Sequence, residues 1–152
     1  CGHPSGRCTC TDGQVQSYLR RISGPLLDRI DMHVEVPSVE YEAMRRKEQP
    51  ETSQQVRSRV NAARQVQQRR YEGTGVTCNA YMTPAMIGQF CALDAAGERL
   101  MQSAFDRLGL TARSHDRILR MARTIADLEG EEQILPTHLA EAIQYRSSAM
   151  LK

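Results

Sequence analysis

The sequence predicts a mainly α-helical protein: a small helical bundle preceded by a short N-terminal stretch that holds one strand. Three observations carry this. Hydrophobic residues make up 40% of the 152, but aromatics only 5% with no Trp. That suits a core of Leu, Ile, Ala and Met better than a β-sandwich. Apolar residues recur at helical spacing in three successive segments after residue 94. One run alone alternates like a strand, from Ile30 to Val36.

Residues 1 to 13 are rich in Cys, Gly, Ser and Thr and read as a loop. A short helix is expected from Gln14 to Ile22, broken by Gly24-Pro25. In the next run Ile30, Met32, Val34 and Val36 alternate with Asp31, His33 and Glu35, the pattern of a half-buried strand stopped by Pro37. No second strand of that quality follows, so its sheet partners are expected upstream; a short extended linker is the other reading. Residues 37 to 52 form a linker with a charged stretch, Glu40 to Glu48.

Thr52-x-x-Gln55 resembles a capping box, opening a long helix to about Arg70 that is ended by Gly73-Thr74-Gly75. Its apolar positions are few, and Arg57, Arg59, Arg64, Arg69 and Arg70 crowd its surface. Thr83-Pro84 starts a short helix to about Cys91. Asp94 caps the next, where Gly97, Leu100, Met101, Ala104, Phe105 and Leu108 form one apolar stripe before a capping Gly109. Thr111 caps a helix to about Leu128, with Ile118, Leu119, Ala122, Ile125 and Ala126 on one face and Gly130 ending it. Pro136-Thr137 begins the last helix, with Leu139, Ala142 and Ile143 inward. Single-striped helices with short connections must bury those stripes against one another, which makes a bundle over 94 to 146. Its expected core is Leu100, Phe105, Ile118, Ile125, Leu139 and Ile143. Residues 1 to 30 have little apolar surface and are expected to be poorly ordered.

Net charge is only +2, a weak argument for nucleic acid taken alone. No apolar run approaches the roughly 20 residues that span a bilayer, so no membrane partner is expected. Five cysteines without a secretory pattern argue against a disulfide framework, and a cytoplasmic location is expected. No Gly-x-x-x-x-Gly-Lys-Ser/Thr phosphate loop occurs. The chain is therefore expected to be the C-terminal portion of a larger protein and not to hydrolyse ATP alone.

Three blocks point to one family: Cys1-Gly2-His3-Pro4-Ser5-Gly6-Arg7-Cys8-Thr9-Cys10, Arg21 to Val36, and Arg113 to Leu128. Together they resemble the C-terminal half of the magnesium-chelatase-like AAA+ ATPases of bacteria, the competence protein ComM (YifB) group. The resemblance implies hexameric rings, ATP and Mg2+ as cofactors, and helicase-type action on DNA. It assigns residues 1–36 to the C-terminal edge of an AAA+ α/β core, 37–52 to a linker and 53–152 to the helical lid. The family's phosphate loop and acidic metal-binding motif have no counterpart here.

Within this resemblance Arg29 is the candidate arginine finger, acting on a neighbouring subunit's nucleotide. A guanidinium supplied in trans can be worth about 10³ or more in rate on transferred phosphoryl oxygens. The plainer reading pairs Arg29 with Asp28 or Asp31. Arg113, in the first turn of a lid helix, is the candidate second sensor, reaching the γ-phosphate of ATP held by its own subunit. Arg117, one turn on, is a weaker candidate for the same work; a solvated face is the alternative for both.

Cys1, Cys8 and Cys10, with an upstream Cys implied by the family or with His3, form a candidate zinc set, since four such ligands suit tetrahedral zinc. Cys78 and Cys91 read as small core residues, His115 and His138 as structural. The arginines of the 53–70 helix can contact phosphate backbone or form a solvated face balanced by Glu51 and Glu72; no aromatic is interleaved for stacking on single strands. Three functions stay open: the finger-and-lid part of a DNA-remodelling ATPase, a motor subunit of a magnesium chelatase, and a non-catalytic, zinc-nucleated helical module that binds nucleic acid.

Overall fold

A computed structural model describes residues 8–27, 29–34, 36, 39, 41, 45 and 50–146. Seven helices and one 3₁₀ turn order the described residues. They are α1 (Asp12–Leu19), α2 (Gly24–Leu27), α3 (Ser53–Arg70), the 3₁₀ turn Asn79–Tyr81, α4 (Pro84–Phe90), α5 (Ala95–Leu108), α6 (Ala112–Glu129) and α7 (Pro136–Gln144).

The caps expected from the sequence set most of these boundaries. The Thr52 Oγ1 accepts from the Gln55 N–H at 3.3 Å, and the Gln55 side chain accepts from the Thr52 N–H at 2.8 Å. Asp94 accepts from the Gly97 N–H at 2.6 Å, and Thr111 from the Ser114 N–H at 3.2 Å. Gly109 and Gly130 close α5 and α6 in the left-handed region, at φ 60° and 80°. α1 differs from expectation. It starts at Asp12 because Thr11 and Gln14 form a second capping box, and it ends at Leu19.

α6 is the centre of the bundle. It packs on α3, the 3₁₀ turn, α4 and α7, while α5 closes over α7. Ile118, Ala122, Leu139 and Ala142 are fully buried; Tyr71, Met82, Ile87, Met101 and Ile125 surround them. Of the six expected core residues, Ile118, Ile125 and Leu139 are buried, and Leu100 and Ile143 pack against the core half-buried. Phe105 lies at the margin, edge-on to His115 at 6.3 Å. The stripe of α5 is rotated from the expected one, so its deepest members are Gly97, Met101 and Ala104.

The strand expected at Ile30 to Val36 does not form among the described residues of that run, and Ile30, Met32, Val34 and Val36 stay exposed. The alternation is present, but among the described residues no neighbouring strand offers a ladder of N–H and C=O groups. The segment lies instead on the ends of α6 and α7. Within 8–27, Leu27 is the one buried residue. The expected linker, 37–52, lies mostly outside the described residues, as do Cys1 to Arg7.

Candidate functional site

The two candidate arginine positions, far apart in the chain, meet at one end of the bundle. The backbone from Arg29 to His33 runs across the first turns of α6 and the end of α7. Arg117 Nη1 donates to the Arg29 carbonyl and to the Asp31 carboxylate. Arg146 Nη1 donates to the Ile30 carbonyl, and its Nη2 to Ser114 Oγ at 3.1 Å. The His33 N–H donates to the Tyr145 carbonyl at 2.8 Å. Three consecutive residues of the segment are thus gripped by guanidiniums, whose planar forks suit carbonyl and carboxylate oxygens together.

Arg29 itself is exposed. Among the described residues its guanidinium makes no hydrogen bond or ion pair, and Asp31 is taken by Arg117. Asp28 lies outside the described residues. The backbone is held while the side chain is presented to solvent. Arg113 is exposed in the first turn of α6, four residues before Arg117 and on the same side of the helix. The first turn of a helix, with its unpaired N–H groups, favours anions.

Of the cysteine set, Cys8 and Cys10 stand side by side, and the Cys8 thiol, as hydrogen-bond partner, pushes Cys10 up from its ordinary pKa. Cys1 and His3 lie outside the described residues, and among the described residues no group of three His, Cys, Asp or Glu is close enough to hold a metal. His138 is structural. Its Nδ1 accepts from the Leu135 N–H at 3.0 Å, which leaves Nε2 to donate to Glu129 at 2.9 Å. Cys91 is a buried core residue, its thiol pushed up to about 11 by burial.

A second polar centre was not predicted. Asp127, buried on α6, accepts from Arg70 at 2.8 Å, Asn79 at 2.8 Å and Arg123 at 3.0 Å. Asn79 in turn accepts from the Tyr71 hydroxyl at 2.6 Å and donates to Thr124 at 3.0 Å. Arg123, itself buried, also donates to the carbonyls of Glu131 and Glu132 past the end of α6. Burial raises the Asp127 carboxyl, but the hydrogen bonds from Arg70 and Asn79 and the two guanidinium charges outweigh it and hold it below the ordinary carboxylate value. The available signal was Arg123 and Asp127 at i, i+4 beside the apolar face of α6.

Residues 50–146 match the family described as magnesium chelatase, subunit ChlI C-terminal, and residues 1–44 match magnesium chelatase, subunit ChlI. The chain belongs to the magnesium-chelatase-like family. It is 40% identical over 152 residues to the competence protein ComM of Haemophilus influenzae, covering 99% of this chain and 29% of that protein. It is 37% identical over 148 residues to the YifB protein of Escherichia coli, 96% of this chain and 28% of that one. An uncharacterised protein of Mycobacterium bovis is 32% identical over 141 residues, 93% and 28%. This magnesium-chelatase-like chain therefore spans under a third of the curated relatives it matches. Among its described residues no helix is long and apolar enough to cross a membrane.

Proposed function

We propose that this chain is the finger-and-lid portion of an AAA+ ATPase that remodels DNA. Arg29 serves as the finger toward a neighbouring subunit, and Arg113 as the sensor of its own subunit's ATP. One observation carries the reading: an exposed Arg29 guanidinium without an ion pair among the described residues, on a backbone clamped by Arg117 and Arg146. A finger must be free to meet phosphoryl oxygens and yet be fixed in position, because a charge aimed in advance loses nothing to reorganisation during reaction. Arg117 then acts as a positioning residue, binding the finger segment rather than nucleotide. Bound Mg2+ would neutralise charge on the ATP phosphates; Arg29 and Arg113 add charge from the two sides of a subunit boundary in a ring, expected to be a hexamer in the cytoplasm. DNA as the substrate is supported by the likeness to a competence protein. The match to magnesium chelatase favours a second reading, a motor subunit of a metal chelatase.

The test uses a family-length protein that carries a phosphate loop together with this chain. Arg29→Ala should reduce turnover by about 10³ with ATP binding retained, and Arg113→Ala should weaken discrimination of ATP from ADP. Mixing Arg29→Ala subunits with subunits lacking the phosphate-loop lysine should restore part of the activity. Co-assembled rings that show no recovery would refute the trans role. Turnover stimulated by DNA, but not by a porphyrin-metalating partner, decides between the two substrates.

A further inference from the structure

The first helix of the bundle is only partly used by the bundle. α3 carries Arg57, Arg59, Arg64, Arg69 and Arg70 and no Asp or Glu from Ser53 to Arg70. Two of these charges are spent internally: Arg59 pairs with Glu51 through bonds of 2.7 and 3.1 Å, and Arg70 with Asp127. Arg57, Arg64 and Arg69 are exposed and make no ion pair among the described residues; Arg69 makes one long bond, 3.4 Å, to the Gln65 carbonyl.

α3 is seated by its C-terminal half alone. Ala63 and Gln67 are buried and Val66 and Arg70 half-buried, while every residue from Glu51 to Ala62 is exposed. At 100° per residue, Arg57, Asn61, Arg64 and Gln68 fall within about 60° of one another, in an exposed stripe whose centre lies about 110° from that of Ala63 and Gln67. The stripe runs about 16 Å along the helix axis. It offers guanidinium and amide N–H donors and no carboxylate, and such donors bind phosphate and sugar oxygens. Each strand of a duplex carries a phosphate for about every 3.4 Å of the duplex axis, so a stripe of this length can reach more than one of them. No aromatic residue lies on α3, so it has no platform for stacking unpaired bases.

We propose that this stripe, Arg57, Asn61, Arg64 and Gln68, binds the phosphate backbone of a DNA duplex without reading its sequence. The proposal deepens the DNA reading above and rests on it. It places a contact on the lid, apart from the finger end of the bundle.

The test measures binding of the 152-residue chain to a fluorescent 20-base-pair DNA duplex by anisotropy over a range of salt. Wild type should bind with affinity falling linearly in log salt. Arg57→Ala/Arg64→Ala should lower that slope by about two, one per lost phosphate contact. Arg57→Lys/Arg64→Lys should keep most of it, because charge is retained. Arg99→Ala/Arg107→Ala, which removes two exposed arginines from α5, should leave the slope unchanged. No binding by wild type, an unchanged slope in the α3 alanine variant, or an equal loss in the α5 variant would each overturn the proposal. Circular dichroism verifies that each variant is folded. Failure of the DNA reading itself looks different: a family-length protein whose ATPase rate ignores duplex although α3 still binds it.

Discussion

Two arginine-centred assemblies sit at different places on this bundle, and the contrast between them separates architecture from function. Around Asp127, two guanidiniums and an amide converge on one buried carboxylate, with Tyr71, Thr124 and the carbonyls after α6 completing the set. At the other end, Arg117 holds the Arg29 carbonyl and, at the surface, an Asp31 carboxylate whose side chain is 65% exposed, while Arg146, itself buried, holds the Ile30 carbonyl. The chemistry of the contacts is alike; the surroundings are not. In the interior, water cannot replace a lost partner, so each removal strands a charge. At the surface water can, so the same pairing is worth little and can be remade. An exposed segment such as that of Arg29 suits the second setting, and the tie between helices suits the first.

The largest expected effect follows from the buried centre. Asp127→Ala leaves the Arg70 and Arg123 charges without their acceptor and should cost about 3–5 kcal/mol, read as the shift in a urea unfolding curve followed by circular dichroism. A loss below about 1 kcal/mol would erase the distinction drawn between the two assemblies. Truncating the core beside it is next. Ile118→Ala, at a position with no exposure, should cost about 2–5 kcal/mol as transfer and cavity terms combine.

Acidification offers a graded version of the first test. Asp127 has a folded-state pKa below its ordinary value. Its contribution is therefore complete above the unfolded value of about 3.9 and is lost as pH falls through the lower folded value. Stability should decline below about pH 4 in wild type, and more shallowly in Asp127→Asn, which starts lower; parallel pH profiles for the two proteins would rule out that carboxylate as a source of the decline. The smallest effect belongs to the finger clamp. Arg117→Ala should change global stability by no more than about 1 kcal/mol, yet it should hasten proteolysis and amide exchange at 29–33. Unchanged protection there would mean that Arg117 does not hold the segment.

Local signals were read well where the physics is local. Thr52, Asp94 and Thr111 begin helices because their side chains reach an N–H three residues on. Gly109 and Gly130 end them because glycine has no Cβ to oppose a positive φ. The Thr11–Gln14 box obeys the same rule, but a loop-like composition surrounds it and masks it. The strand at Ile30 to Val36 shows the opposite case: alternation states only a preference, and a strand exists only with a neighbour to bond. Among site residues, Arg29 and Arg113 were named through resemblance. That Arg117 faces Asp31 required knowing that residues 86 apart meet.

By itself the sequence determined the helical class, the limits of α3 to α6 and the start of α7, the lack of a phosphate loop and the family to which the chain belongs. These follow from periodicity, capping chemistry and motif, all of which act within a few residues or a matched block. Only the tertiary structure decided which charges are buried and which stay exposed. Arg70 joins Asp127 across 57 positions, while Arg57 and Arg64 on the same helix remain in solvent. Helical spacing places a residue on a face of its own helix, but the dielectric and the partners that face meets are set by how the other helices pack against it.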